Sequence, residues 1–185
     1  MTPTIDLGAS GEHEGFPGTV SIGHDALFAV LTELGRSACR WARGVIFVNG
    51  HGGNVPTLCK AVELLRYEGR AVAWTSCDLP DADAHAGDTE TSLMRHLAPW
   101  SVRADRMEKG PTTPLAELMP RLAAEGVRSV SANGVLGDPT RSSAERGRRL
   151  FDRLVANLVH ELRILDVAHR GRLTRAEQAD LVSGP

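Results

Sequence analysis

The stretch that decides the fold is FVNGHGGNVPTL, residues 47–58. It begins inside the β-branched run VIFV at residues 45–48, which is typical of a buried strand. After Asn49 and the glycines around His51, apolar residues return at helical spacing over residues 55–69, and that segment closes on a glycine, as helices often do. The stretch therefore predicts a strand, a glycine-rich loop and a helix in direct succession.

The same alternation continues on both sides of this unit. A helix is predicted over residues 26–42 and a second short strand over residues 70–76, from apolar residues at helical spacing and in a short continuous run. Strands separated by a helix of this length pair in parallel and are covered by helices, which favours the α/β class. Further helices are predicted over residues 89–97, 113–126 and 142–165, with a glycine-proline turn over residues 133–140.

Length, charge and composition exclude several classes of protein. The 185 residues, of which 42% are hydrophobic, suffice for one substantial core, so we expect one domain over residues 1–170 and a polar tail over residues 171–185. A net charge of −2 without a basic cluster argues against nucleic-acid binding. The odd set Cys39, Cys59 and Cys77 indicates reduced core thiols. Since no apolar run approaches the roughly 20 residues that span a bilayer, and no secretory signal is recognisable, we expect a cytoplasmic protein without a membrane partner.

His51 lies where α/β proteins commonly bind ligands, at the carboxyl end of a predicted parallel strand. Two functions are open for this loop: the glycines cradle a phosphate, or the histidine holds a ligand. A dinucleotide motif would need glycine where Val55 stands, and no Gly-Lys-Ser/Thr follows, which weakens the phosphate hypothesis. A lone histidine beside a strand can also be purely structural, so its function needs support from elsewhere in the chain.

Support comes from DADAHAGDTETS, residues 81–92, which follows the next predicted strand. Its loop is expected to open on the same sheet edge as His51, because parallel strands end at one edge. It offers His85, Asp88 and Glu90, and imidazole and carboxylate are ligands that divalent metals use in hydrolytic sites. For Asp88 we favour a structural role at the start of a helix, where carboxylates offset unpaired amides; for Glu90 both roles are open.

A third stretch, GASGEHEGFPGTVSIG at residues 8–23, predicts a loop with little regular structure. Long irregular loops in compact domains are often functional. Glu12, His13 and Glu14 are the side chains on it that could take part in chemistry, and a solvated surface position is the alternative for each.

Together with GVLGDPT at residues 134–140, these stretches resemble the creatininase family of metal-dependent amidohydrolases over about residues 8–159. The motifs occur together and in the same order as in that family. The resemblance implies a three-layer α/β/α sandwich with a mostly parallel sheet, assembled as a homo-oligomer. It also implies a divalent metal centre of zinc, manganese or iron, and hydrolysis of an amide by a metal-activated water.

The resemblance further implies roles for individual residues. His51 matches the histidine ligand of the family's NGH motif, and Glu90 matches the carboxylate ligand of the motif HAGxxET. His85 of that second motif is the candidate catalytic residue, because a leaving amine needs a proton. The residues expected in the substrate pocket are Glu12, His13, Asn49, Gly52 and Gly53.

One segment of the family pattern is expected to be missing. Members usually begin with a strand and loop of the form GSxEQHGPHLP, which supplies further metal ligands, whereas this chain starts at Met1 just before the segment that normally follows. We therefore expect the fold to lack the N-terminal strand and to expose a sheet edge.

The expected substrate is a precursor peptide or a small amide. The sequence of residues 8–23 is most similar to that of a branch of the family that trims a ribosomally made precursor peptide. Gly53 stands where creatininases proper carry a carboxylate, which favours the peptide. The alternatives are a creatinine-type hydrolase of small amides and an inactive member that acts as a binding or assembly subunit, because two ligands alone make a poor hydrolytic site.

Overall fold

The computed structural model describes residues 2–80 and 82–175, and its helices and strands follow the predicted alternation. Each predicted helix and strand is present, and the observed ends lie within about four residues of the predicted ones. The strands are β1, Val45–Asn49, and β2, Val72–Ser76. The helices are α1, Gly23–Ala38; α2, Val55–Tyr67; α3, Asp88–Leu97; α4, Leu115–Glu125; and α5, Ala144–Ile164.

The sheet is parallel, as predicted. β1 and β2 pair in a register that places Asn49 opposite Ser76. Among the described residues the sheet has these two strands, and a single bridge from Trp74 to Arg172 adjoins it. Since both strands run in the same direction, the loops that follow them leave from one edge of the sheet, where ligands commonly bind in α/β folds.

The chain forms two compact units, and the first comprises residues 2–9, 22–77 and 155–175 of the described chain. Its core joins the apolar faces of α1 and α2 to β2. The two helices approach closely because Gly35 has no side chain: a Cβ there would overlap the Cδ1 of Leu65. The buried apolar residues of this core include Leu27, Leu31, Leu58, Val62, Leu65, Val72 and Trp74.

The segment after α5 joins the first unit beside β2. Leu173 is buried, and its N–H donates to the carbonyl of Trp74 over 2.8 Å. Glu161 of α5, only 1% exposed, accepts hydrogen bonds from Thr75 Oγ1 and from Arg175 Nε, the latter over 2.7 Å. A carboxylate can be buried here because a cation and a hydroxyl both satisfy it.

The second unit comprises residues 10–21 and 78–154. It contains α3, α4 and most of the irregular chain. In it His85 forms an antiparallel bridge with Leu136, which ties the loop after β2 to the predicted glycine-proline turn. Its smaller core consists of Leu122, Val127 and Leu136, with Phe16 among the residues packed against them.

The helices of this fold bear on the predicted absence of a membrane span, and its described range bears on the predicted domain and tail. Within residues 2–80 and 82–175, no helix combines the length and apolar character needed to cross a membrane. The single domain over residues 1–170 stays a prediction. Most of the predicted polar tail, residues 176–185, lies outside the described residues.

Candidate functional site

The end of β1 is braced by hydrogen bonds between side chains and main chain. Asn49, the last residue of the strand, is buried, and its Nδ2 donates to the carbonyl of His51 over 2.9 Å. Its Oδ1 accepts from Asn54 Nδ2 over 3.3 Å. Asn54 Oδ1 in turn accepts the N–H of Ala9 over 2.9 Å, and a Cβ on Gly8 would lie 2.5 Å from that oxygen. Two asparagines therefore hold the loop that carries His51 against the N-terminal segment.

The ring of His51 is oriented by the main chain. Its Nε2 lies 3.2 Å from the carbonyl oxygen of Ala9, and a carbonyl can only accept, so Nε2 carries the proton of this bond. In the neutral imidazole the lone pair then lies on Nδ1. Histidines that bind metals usually donate their other N–H in this way, since the bond fixes both tautomer and ring orientation.

The predicted pocket glycines follow His51 directly. Gly52–Asn54 forms a short 3₁₀ helix that leads into α2. A Cβ on Gly52 would meet no atom within 4 Å, so the space beside this position is open. Gly53 lies in the same turn.

In the second unit, His85 and Glu90 lie together. His85 is held by its main chain, whose N–H and carbonyl pair with Leu136 over 3.2 and 2.8 Å. Its Nδ1 lies 3.5 Å from Oε2 of Glu90, in the first turn of α3. The same oxygen accepts the N–H of Ala86 over 2.6 Å, and the Glu90 side chain is half exposed. The helix start and the loop thus hold an imidazole and a carboxylate side by side.

His13 joins these two residues within the second unit. It ends the short 3₁₀ helix Gly11–His13, and its ring centroid lies 4.6 Å from that of His85. Its Nε2 is 3.7 Å from Oε1 of Glu12. The predicted residues therefore form a row of carboxylate, imidazole, imidazole and carboxylate, in the order Glu12, His13, His85 and Glu90.

Asp88, for which a structural role was favoured, forms an ion pair with Arg146 of α5. Its Oδ1 also lies 3.4 Å from Ser92 Oγ, one turn further along α3. Both oxygens of the Asp88 carboxylate therefore have partners within the second unit. Glu14 is exposed.

The donor set suits a divalent metal ion. Imidazole nitrogen together with carboxylate oxygen is a ligand set accepted by zinc, manganese and iron, with availability often deciding among them. Within the second unit two imidazoles and two carboxylates are neighbours, and in the first unit His51 is oriented as a metal-binding histidine is.

Comparison with known proteins identifies the family. The sequence model described as creatininase, creatinine amidohydrolase, matches residues 1–162. The chain belongs to the creatininase family. The chain is 52% identical over 174 residues to the mycofactocin precursor peptide peptidase of Mycolicibacterium smegmatis, a match that covers 94% of this chain and 70% of that protein. The protein of the same name from Mycobacterium tuberculosis is 52% identical over 162 residues, covering 88% of this chain and 64% of its own length.

Solved creatininase structures agree with this family assignment. A mutant creatininase of the Zn-Zn type matches with a TM-score of 0.68 and 26% identity, over 85% of this chain and 72% of its own. A manganese form of creatininase matches with the same score, identity and coverage. The predicted α/β creatininase fold is thereby confirmed, and divalent metal use is supported for a chain of this family.

Proposed function

We propose that this chain is a metal-dependent peptidase of the creatininase family that shortens the mycofactocin precursor peptide. The observation that carries the proposal is the 52% identity, over 94% of the chain, to the peptidase of that name. The neighbouring imidazole and carboxylate groups support the chemistry, because metal-assisted hydrolysis needs ligands and a proton carrier.

His51 and Glu90 are the proposed metal ligands, and the ion is zinc, manganese or iron. A bound divalent ion supplies a Lewis acid, which polarises the amide carbonyl and makes water acidic enough to attack at neutral pH. His51 offers Nδ1, since its Nε2 is engaged by Ala9. Glu90 is held in place by the N–H of Ala86, which leaves a carboxylate with capacity for a further partner.

His85 is the proposed proton carrier. Its Nδ1 faces Glu90 Oε2 at 3.5 Å, an arrangement that favours the proton on Nδ1. Nε2 then has the lone pair that accepts a proton and delivers it to the leaving amine. The role is analogous to that of histidines that a carboxylate orients in other hydrolases.

The remaining predicted residues are assigned to the substrate pocket. Glu12 offers a carboxylate and His13 an imidazole, Asn49 braces the loop, and the space beside Gly52 is open, with Gly53 next in the same turn. A glycine at position 53 in place of a carboxylate removes one charged group near the loop, which favours a peptide over creatinine.

The test is cleavage of a synthetic peptide that ends in the C-terminal sequence of the mycofactocin precursor. Protein loaded with zinc or manganese should shorten it, and protein treated with a chelator should not; the products are identified by mass spectrometry. His85→Ala should lower turnover while metal content stays unchanged, which elemental analysis checks. If the metal-loaded chain leaves the peptide intact, the assignment of substrate is wrong.

Creatinine hydrolysis is the second candidate, because the family description that matches the chain is that of creatinine amidohydrolase. The same preparations should be offered creatinine at millimolar concentration. Turnover of creatinine without turnover of the peptide would favour this second function. Peptide binding without cleavage, undiminished in His51→Ala, would instead indicate an inactive binding subunit.

We also propose a cytoplasmic homo-oligomer. Creatininase-like enzymes are expected to form closed, symmetric assemblies of identical subunits, as most soluble oligomers do. Light scattering during gel filtration gives the mass in solution, and a mass of about 20 kDa would contradict the assembly, since one chain has a mass of 19.9 kDa.

A further inference from the structure

Asp83 lies in the loop between β2 and α3, two residues before His85. Its Oδ1 accepts the N–H of Thr89 over 3.0 Å, in the first turn of α3. The first amides of a helix have no acceptor within the helix, so a carboxylate there satisfies a donor and also opposes the positive end of the helix dipole. The bond joins residues six positions apart and closes a loop around His85.

Two motif glycines make room for this carboxylate. A Cβ on Gly87 would overlap Asp83 Oδ2, and a Cβ on Gly137 would lie 2.6 Å from the same oxygen. Gly87 has a φ of −87°, a value open to any residue, so close approach of Asp83 accounts for the glycine there. The glycines of HAGDTETS and of GVLGDPT thus have one neighbour in common.

The loop that Asp83 closes contains strained backbone. Ala86, between His85 and Gly87, has a φ of +52°, a left-handed conformation that residues with a Cβ disfavour. Its N–H is held by Glu90 Oε2, and its carbonyl accepts from Thr91 Oγ1 over 3.2 Å. Such a conformation persists where surrounding contacts hold it on both sides. The hydrogen bond of Asp83 restrains the loop on the N-terminal side of His85. The hydrogen bonds of Glu90 and Thr91 restrain it on the C-terminal side, at Ala86.

We propose that Asp83 is a positioning residue: its carboxylate fixes the start of α3 relative to the loop and so sets the spacing of His85 and Glu90. The inference rests on the proposed function, in which His85 carries protons and Glu90 binds the metal. The proposal gives Asp83 no direct contact with substrate or metal. It acts through the N–H of Thr89 and through its fit between Gly87 and Gly137.

The experiment compares five variants of the full chain: Asp83→Ala, Asp83→Asn, Gly87→Ala, the double variant Asp83→Ala with Gly87→Ala, and Asp105→Ala. Asp105 is an exposed carboxylate of the same unit and serves as the matched control. Affinity for zinc is measured by competition with a chelator, kcat and KM with the precursor peptide, and folding by thermal unfolding.

Asp83→Ala should weaken zinc binding by about 10–100-fold, the range seen when groups that orient metal ligands are removed. Asp83→Asn keeps an acceptor oxygen for Thr89 and should recover most of that loss. Gly87→Ala should weaken zinc binding in the wild-type background but much less in the Asp83→Ala background, because the overlap with the carboxylate is then gone and only a milder approach to the Cα of Gly137, at 3.1 Å, remains. Asp105→Ala should bind zinc as the wild type does.

Wild-type zinc affinity in folded Asp83→Ala would overturn the proposal, and so would an equal effect of Gly87→Ala in both backgrounds. Failure of the proposed function has a different signature, since the wild type itself would then bind zinc without cleaving the peptide. The ratio of zinc affinities still tests Asp83 in that case.

Discussion

The Nε2 of His51 is hydrogen-bonded to the carbonyl of Ala9, and the proposal that this histidine binds the metal through Nδ1 makes a prediction about a single residue. His51→Ala should weaken binding of zinc or manganese by more than the roughly 10–100-fold that groups behind the ligands contribute. Competition with a chelator measures the affinity. His169→Ala, which removes an exposed imidazole of the same unit, is the matched control and should change nothing. Equal affinities in the two variants would remove His51 from the metal site.

Glu68 gives a second prediction at this scale. Hydrogen bonds from Arg36, and then from Arg70 over 3.0 Å, lower the pKa of Glu68 from its usual 4.5 to about 2. Since the folded value is the lower one, the carboxylate stabilises the protein fully above pH 4.5, and that contribution is lost as the pH falls toward 2. The melting temperatures of wild type and Glu68→Gln should therefore differ at pH 6 and converge toward pH 2.5. Because the groups are partly exposed, salt should shrink the difference; a difference that is independent of pH would contradict the assignment.

Sequence reasoning could single out His51, His85 and Glu90 because each follows a predicted strand and has chemistry of its own. It missed Asn54 and Asp83, whose importance lies in hydrogen bonds to the main chain of Ala9 and Thr89. Such hydrogen bonds leave no periodic pattern in the sequence from which they could be predicted, and the bond between Asn54 and Ala9 joins residues 45 positions apart. The asparagine at the end of NGHGGN was the available sign, since amide side chains often brace loops.

At the scale of elements, the contact between α1 and α2 depends on Gly35. Alanine normally favours a helix over glycine by about 1 kcal/mol, but a Cβ at this position would overlap Leu65. Overpacking of a core costs about 1–3 kcal/mol, so Gly35→Ala should destabilise the protein in spite of its helix propensity. Ser37→Ala, on the exposed side of the same helix, should be neutral or slightly stabilising. Urea unfolding compares the two, and a gain in stability for Gly35→Ala would show that the helices can move apart without cost.

The elements themselves were predictable, and their ends less so. Helix α1 was predicted to run to residue 42, yet it ends at Ala38. Beyond it, Arg40 and Trp41 donate to carbonyls three residues earlier, the tighter turn that commonly closes a helix. No glycine or proline follows Ala38 directly, so the sequence offers no signal from which this helix end could be predicted. The parallel pairing of β1 and β2, in contrast, followed from the helix-length connection between them.

At the scale of the whole molecule, metal binding should raise the free energy of unfolding and the melting temperature. A ligand that binds only the folded chain stabilises it by about 2.7 kcal/mol at one hundred times its Kd. For a chain of this size that corresponds to a rise of about 5–10 °C in Tm. Zinc added to metal-free protein should produce this rise in the wild type and much less in His51→Ala. No rise at saturating zinc would contradict a folded metal site. The same scans test the predicted single domain, for which one transition is expected.

The burial of Trp74 makes tryptophan fluorescence a probe of the folded state of this chain. The chain has three tryptophans; Trp74 is 3% exposed and donates its Nε1 to the carbonyl of Arg170, whereas Trp41 and Trp100 are 77% and 83% exposed. Indoles in water emit at longer wavelength than buried ones, so the blue edge of the native emission comes from Trp74 alone. With Trp41 and Trp100 replaced by phenylalanine, a red shift of the remaining signal would time the exposure of the first unit's core at Trp74, where the C-terminal segment meets β2.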